Sequence, residues 1–434
     1  MGLYAEHLKI LQTRAETALQ RAGFDALVIA SGVSKYQFLD DRPYGFRANP
    51  HFLHYVPLPQ HSDCWIVVVP GGKPSLVYYQ PADYWHLPPA APSGEWVEHF
   101  DIHVITEPAQ AVGILPKSGR LAIIGEADAA LPGYEPNNPA AVLDHLHWHR
   151  AFKTAYELER MREASRRAAR GHVAAERAFR AGMSELSIHR AYLQASGQTE
   201  RDLPYDNIVG LNEHAAVLHY QHQDAVAPTT SRSFLIDAGA QDAGYAADIT
   251  RTYGNGDELF GALVDGVDEV QRKLVDQVRP GRDYRDIHLD AHRQLAGVLE
   301  RLGIVAMSAE SQVESGVSSV FFPHGIGHLL GIQVHDIAGL AASENGGTLP
   351  RPEGHPFLRL TRPVDKGMVV TIEPGLYFIP MLLAKLRNGP HAKAVDWTKV
   401  EHLLPFGGVR IEDDVACTGA APENLTRDAF AMVA

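Results

Sequence analysis

Only two cysteines, Cys64 and Cys417, occur in the 434-residue chain, and they lie far apart in sequence. A disulfide framework and a thiolate metal site are thereby excluded, and the pair reads as isolated thiols of a reducing compartment. Dense basic runs are missing too. Against 39 Lys plus Arg stand 52 Asp plus Glu, giving a formal charge of −13, which argues against a nucleic-acid partner and favours small or cationic ligands. No stretch approaches the roughly eighteen consecutive apolar residues of a membrane span. The opening MGLYAEHLKILQTRAETALQRAG spreads charges around an apolar stripe of Leu8, Leu11, Ala15 and Leu19, unlike a signal peptide with its continuous apolar centre. These absences predict a cytoplasmic protein with neither a membrane nor a nucleic-acid partner.

What is present is the balance of an ordinary folded protein, 45% hydrophobic and 21% charged, at a length that suggests two domains. The first 150 residues alternate apolar runs with turns: ALVIA at 26–30, CWIVVVPGGKPSLVYYQ with Pro70, Gly71 and Gly72 between two strand-like halves, and LAIIG at 121–125. A long helical pattern then opens at Thr154. Glu157, three residues on, completes a capping-box signature, and Leu158, Met161, Ala168, Ala175 and Phe179 form an apolar stripe. Later come strand-like SFLIDAGA and GYAADITRTYG, helical patterns near 257–278 and 284–302, and strands in GMVVTIEPGLYFI and GGVRIEDDVACT. Without a regular βαβ rhythm, the second domain is α+β. We therefore expect a small mixed α/β domain over 1–153 and an α+β domain over 154–434. The Gly- and Pro-rich stretch 341–362 reads as a long surface loop.

Four acids stand in apolar strand-like runs. Asp237 and Asp248 lie eleven residues apart, with Gly239 and Gly244 between, and could face each other across adjoining strands. Glu373 shares a face with Val369 and Thr371 by the two-residue period, and Glu412 shares one with Arg410. Taken singly, such acids are most often solvated strand-edge residues. A buried unpaired carboxylate would instead be driven to protonate, so if the four converge, two divalent cations balance their charge most economically.

PHGIGHLLGIQVHD, residues 323–336, brings three histidines together, with Gly325 and Gly327 between the first two. His324 and His328 have the i, i+4 spacing of zinc helices, but the intervening glycines argue for a loop whose backbone can approach a ligand closely. One imidazole would then bind metal and others contact substrate. Oxygen-rich ligands with one imidazole and no thiolate suit Mn2+ better than structural Zn2+. A pair of such ions activates water for attack on a carbonyl, so the reaction class is hydrolysis.

LIDAGAQDAGYAADITRTY, PHGIGHLLGIQVHD, TIEPG and RIEDD, in this order, resemble the metallopeptidases of the pita-bread fold, the creatinase and aminopeptidase P clan. PYDNIVGLNEHAAVLHY, LDDRPYGFRANP and KVEHLLPFGGVRIEDD are similar to the proteobacterial Xaa-Pro dipeptidases, or prolidases, which include organophosphorus acid anhydrolases, and the likeness runs through nearly the whole chain. It implies a pita-bread catalytic domain in which Asp237, Asp248, His328, Glu373 and Glu412 hold two divalent cations, most simply Mn2+, with Asp248 and Glu412 bridging. Glu373 would also act as general base towards a metal-bridging water. His335 would stabilise the tetrahedral intermediate or leaving group, and Arg410, His219 and His324 would line the substrate pocket, with Tyr205 close to the metals. An acidic residue from the partner's N-terminal loop, Asp40 or Asp41 with Asp41 favoured, would complete the site, implying a homodimer. The implied substrate is an Xaa-Pro dipeptide, with side activity on organophosphorus triesters. The alternatives are an aminopeptidase P-like enzyme on longer peptides and a catalytically silent peptide-binding module.

Overall fold

The computed structural model describes residues 2–433. The chain forms two compact units, Met1–Glu159 with Ala342–Gly347 and Arg160–Ala341 with Thr348–Ala434.

In the first unit, helix Leu3–Ala22 buries Leu8, Leu11, Ala15 and Leu19, the stripe seen in the sequence. The unit's sheet orders its strands Asp101–Ile105, Ser75–Tyr79, Trp65–Val68, Ala26–Ala30 and Leu121–Ile124. The Pro70-Gly71-Gly72 turn makes Trp65–Val68 and Ser75–Tyr79 an antiparallel hairpin, whereas Ala26–Ala30 pairs in parallel with Leu121–Ile124. Strand Asp101–Ile105 was not anticipated. It lies at the sheet edge with only Ile105 fully buried, so its sequence carries little hydrophobic signal.

The long helix Ala155–Arg180 begins where the capping box predicts. Thr154 N–H donates to Glu157 Oε2 at 2.8 Å and Glu157 N–H donates to Thr154 Oγ1 at 3.3 Å. Part of the 341–362 stretch is not loop but a hairpin, Ala341–Ser343 with Gly346–Thr348. At its turn Glu344 accepts from Arg21 Nη1 at 2.7 Å and lies 3.1 Å from His149 Nε2, tying it into the first unit.

In the second unit a three-stranded antiparallel sheet runs Thr250–Gly254, Ser233–Asp237, Ile208–Leu211, and a second places Asp413–Ala416 between Val369–Ile372 and Glu423–Asn424. Strand Gly375–Tyr377 pairs with Gly408–Arg410. Helices Glu258–Val275 and Tyr284–Arg301 start at Asp257 and Asp283, whose carboxylates accept backbone N–H groups of the first turn. No described helix is long and apolar enough to cross a membrane.

Candidate metal centre

The strand ends of the second unit deliver their acids into one pocket of about 440 Å³, lined by Asp237, Asp248, Glu373 and Glu412 together with His219, His324, His328, His335 and Arg410. Asp237 closes strand Ser233–Asp237, but the residue across from it is Thr250, not Asp248. The predicted face-to-face pairing of the two aspartates is therefore corrected. Asp248 lies two residues before the paired Thr250, where its N–H donates to Asp414 Oδ2 at 3.1 Å. Pairing continues past Thr250, with Ala238 N–H donating to Ile249 O at 3.0 Å and Ala247 N–H to Ala240 O at 2.8 Å, so Asp248 stands across from Gly239 and the two aspartates are diagonal neighbours. Glu373 follows the last residue of strand Val369–Ile372, and Glu412 sits in the gap between Gly408–Arg410 and Asp413–Ala416, bridged to Thr250.

The histidine segment is not helical, as its glycines predict. Glu373 N–H donates to Ile326 O at 2.9 Å, Thr371 N–H to His328 O at 3.0 Å and Leu330 N–H to Val369 O at 3.0 Å, so residues 326–330 run along strand Val369–Ile372. Gly327 makes this approach feasible, with φ at 153°; a Cβ there would run into the carbonyl oxygen of Thr371 and the hydroxyl of Tyr284. The sequence singled out the histidines, and the strand beneath them explains the glycine between.

Asp248, His328 and Glu412 each offer one ligand atom, all within 4.8 Å of one another, and all three residues are buried. His328 Nε2 lies 3.4 Å from Asp248 Oδ2 and 3.9 Å from Glu373 Oε1. Burial, then repulsion from Asp248, Glu373 and Asp237, pushes the Glu412 carboxyl well above the ordinary range. Burial also lifts Glu373 to about 7, with Asp248 and Asp237 adding to the push against His328 and Arg410. Asp237 is raised by burial despite Arg410. At Asp248 burial is outweighed by the hydrogen bond and charge of His328, which hold the carboxyl below its usual range and raise the imidazole in return. Acids this crowded retain protons unless cations replace them, so the donor set fits divalent metal.

Around this core, Tyr205 Oη donates to Asp237 Oδ1 at 2.8 Å. Arg410 gives Nη2–H to Asp237 at 2.6 Å, Nη1–H to Tyr377 Oη at 2.9 Å and Nε–H to Thr250 Oγ1 at 3.2 Å. Two of its five N–H donors remain for a ligand. His324 Nε2 lies 2.9 Å from Tyr377 Oη, and burial, then the charge of Arg410, drives its basicity down to about 3. His335 packs edge-on against the His328 ring at 4.4 Å, and burial and that neighbour lower it to about 4. Both imidazoles are neutral at pH 7. Asp41 is exposed in the first unit, its N–H bonded to Asp40 Oδ1 at 2.7 Å, and does not line this pocket.

Sequence reasoning missed the groups that hold these side chains. Thr250 Oγ1 donates to Glu412 Oε2 at 2.6 Å, Thr371 Oγ1 accepts the His328 N–H at 3.1 Å, and Asp414 anchors the Asp248 backbone. Both threonines stand within two residues of a predicted ligand, which is the one signal that could have flagged them. Leu218, Phe357, Ile379, Met381 and Leu382 form the pocket's apolar side, and nothing local in the sequence marks them.

Comparison with known proteins follows the same division. Residues 2–148 match the family model for the N-terminal domain of Xaa-Pro dipeptidases, and residues 159–419 match that of metallopeptidase family M24. The chain is 56% identical over 431 residues to the Xaa-Pro dipeptidase of Xanthomonas campestris pv. campestris strain B100, covering 99% of this chain and 98% of that protein. It is 54% identical over 432 residues to the Xaa-Pro dipeptidase of Stenotrophomonas maltophilia strain K279a, with the same coverage. Among solved structures, Pseudomonas aeruginosa aminopeptidase PepP superposes with a TM-score of 0.73 at 23% identity, over 99% of this chain and 98% of that one. Escherichia coli aminopeptidase P with the inhibitor Pro-Leu gives 0.71 at 22% identity, over 96% and 95%. These neighbours bear out the expected fold.

Proposed function

Since the chain belongs to the M24 metallopeptidases and carries the N-terminal domain of the Xaa-Pro dipeptidases, we propose that it hydrolyses Xaa-Pro dipeptides at the Asp237, Asp248, His328, Glu373, Glu412 centre. The observation that carries the reading is convergence: four acids and one imidazole from separated segments line a single pocket beside the partly free guanidinium of Arg410. Two divalent cations held there would polarise the scissile carbonyl and acidify an attacking water, and the oxygen-rich, thiolate-free donor set favours Mn2+.

The chain's own residues supply the rest. Glu373, in the same pocket as the other acids, would take a proton from the attacking water and deliver it to the departing proline nitrogen. The free N–H groups of Arg410 suit the substrate carboxylate. Neutral His324 and His335 donate or accept hydrogen bonds without adding charge, His219 lines the same pocket, and Tyr205 keeps Asp237 oriented. A proline nitrogen leaves no N–H for strand-like recognition, so a closed pocket gripping both dipeptide ends is the natural solution.

Completion of this pocket by Asp41 of a second subunit, and hence a homodimer, is supported by the loop around it: Phe38 and Leu39 are 89% and 90% exposed, unusual for a loop tip that stays in water. Two buried free thiols support a reducing, cytoplasmic setting. The domain reading, 1–153 and 154–434, follows the capping box at Thr154.

The test is the initial rate of Ala-Pro hydrolysis by chelator-stripped protein before and after adding Mn2+. We expect cleavage to return with Mn2+ and a tripeptide beginning Xaa-Pro to be cut far more slowly. Preference for the tripeptide would make it an aminopeptidase P-like enzyme, and binding without cleavage of either would make it a silent peptide-binding module. An organophosphorus triester in the same assay should show slower, Mn2+-dependent release of its leaving group; release independent of metal, or none, removes that side activity.

A further inference from the structure

A second cluster of imidazoles lies in the same unit, outside the residues assigned above. His288 and His292 are one helical turn apart on Tyr284–Arg301, and both are 1% exposed. The turn Gly354–Leu358 brings His355 against them. The three ring centroids are 4.6 to 4.8 Å apart, and one ligand nitrogen from each residue falls within 4.8 Å of the other two. Histidines at i, i+4 on one helix face are a familiar metal-binding pair, and a third imidazole from a separate segment makes a three-nitrogen set.

The cluster is not satisfied as it stands. His288 Nε2 and His355 Nδ1 meet at 2.9 Å and share one proton. His292 Nδ1 is held by Ser318 Oγ at 3.1 Å, but His292 Nε2 and His288 Nδ1 are buried with no hydrogen-bond partner. Buried polar atoms without partners are uncommon, and three imidazoles packed together without a carboxylate repel a proton. Burial and their mutual repulsion lower the basicity of His288 and His292, so lone pairs are available at neutral pH.

We propose that His288, His292 and His355 form a further divalent-metal site, for an imidazole-preferring ion of the Zn2+ type, distinct from the carboxylate-rich centre. Tetrahedral Zn2+ with bonds of about 2.0 to 2.1 Å spaces its nitrogens roughly 3.3 Å apart, within reach of small ring rotations here. The proton shared by His288 and His355 moves to the vacant Nδ1 of His288 or the outer nitrogen of His355, so binding needs a change of tautomer and releases no proton. Ser318 already fixes His292 with Nε2 free, the outer hydrogen bond that metal-binding histidines usually make. A fourth position opens on a cavity of about 230 Å³ that shares His324 and Phe357 with the metal-centre pocket. A bound ion would clamp the His355 turn, and with it Phe357, to the helix.

The test is equilibrium dialysis of the Mn2+-loaded protein against Zn2+, followed by elemental analysis, for the unaltered chain and for His355→Phe. We expect one Zn2+ per chain more in the unaltered protein than in the variant, and Co2+ in place of Zn2+ should give tetrahedral visible bands that the variant lacks. Equal metal content with identical Co2+ spectra would overturn the proposal. Should His355→Phe not fold, judged by circular dichroism, His292→Asn, whose amide takes the place of Nδ1 towards Ser318 and removes Nε2, gives the same comparison.

Discussion

Replacing Glu412 by Gln is expected to strip the protein of its catalytic metal and lower kcat/KM for an Xaa-Pro dipeptide by on the order of 10³-fold or more, since metal catalysis supplies several kcal/mol of transition-state stabilisation. The argument rests on where Glu412 sits. It is 2% exposed, accepts a hydrogen bond from Thr250 at 2.6 Å, and clusters with Asp248 and His328. Glutamine preserves the shape and the bond from Thr250 but removes a negative charge the cations need. The metal-free variant should melt at the same temperature as the metal-free parent or higher, because glutamine is neutral without having to take up a proton beside the other three acids. Loss of metal with retained or raised apo stability separates a ligand from a merely structural residue. Full metal content and full activity would remove Glu412 from the centre. In the parent, metal affinity should rise from pH 5 to 8, because Glu373, titrating near 7, must release its proton before a cation can take its place.

The second large effect is acid unfolding. His7, His172 and His292 are at most 1% exposed, and burial drives their basicity to about 4, 3 and 3. Each folded-state value is depressed below the ordinary 6.5 of an unfolded histidine. Between 6.5 and the folded value the unfolded chain binds protons and the native chain does not, so stability is fully present above 6.5 and is lost as pH falls. At pH 5 each of the three costs roughly 2 kcal/mol, about 6 in all. That is comparable to the whole stability of a typical domain, roughly 5 to 15 kcal/mol. In metal-free protein Glu373 acts with the opposite sign, its raised pKa favouring the fold below about 7, and partly offsets the loss. A series of thermal melts on metal-loaded protein should show Tm flat from pH 8 to 7 and dropping steeply from 6 to 5. A Tm unchanged down to pH 5 would mean that these imidazoles are not buried neutral.

Legibility followed the range of the interaction. The helix start at Thr154, the stripe of Leu8, Leu11, Ala15 and Leu19, and the Pro70-Gly71-Gly72 hairpin are set by neighbours a few residues away, and the structure agrees with all three. Strand Asp101–Ile105 was invisible because an exposed edge needs no apolar face. The hairpin at 341–348 was hidden by the same glycines that suggested a loop. Opposition of Asp237 and Asp248 failed because the turn at Ala243 and Gly244 fixes the register: Asp242 pairs with Tyr245 and Asp237 with Thr250, which puts Asp248 across from Gly239.

By itself the sequence determined the kind of chemistry. Acids in apolar runs and histidines among glycines are local statements about charge, burial and donor type, and their ordered combination identified the family. Only the tertiary structure decided that these groups meet. Asp237, His328, Glu373 and Glu412 reach one pocket because antiparallel pairing brings distant strand ends together, and no sequence spacing encodes such pairing. The same holds for His288, His292 and His355: helical periodicity makes the first two neighbours, but only the packing of a distant turn supplies the third.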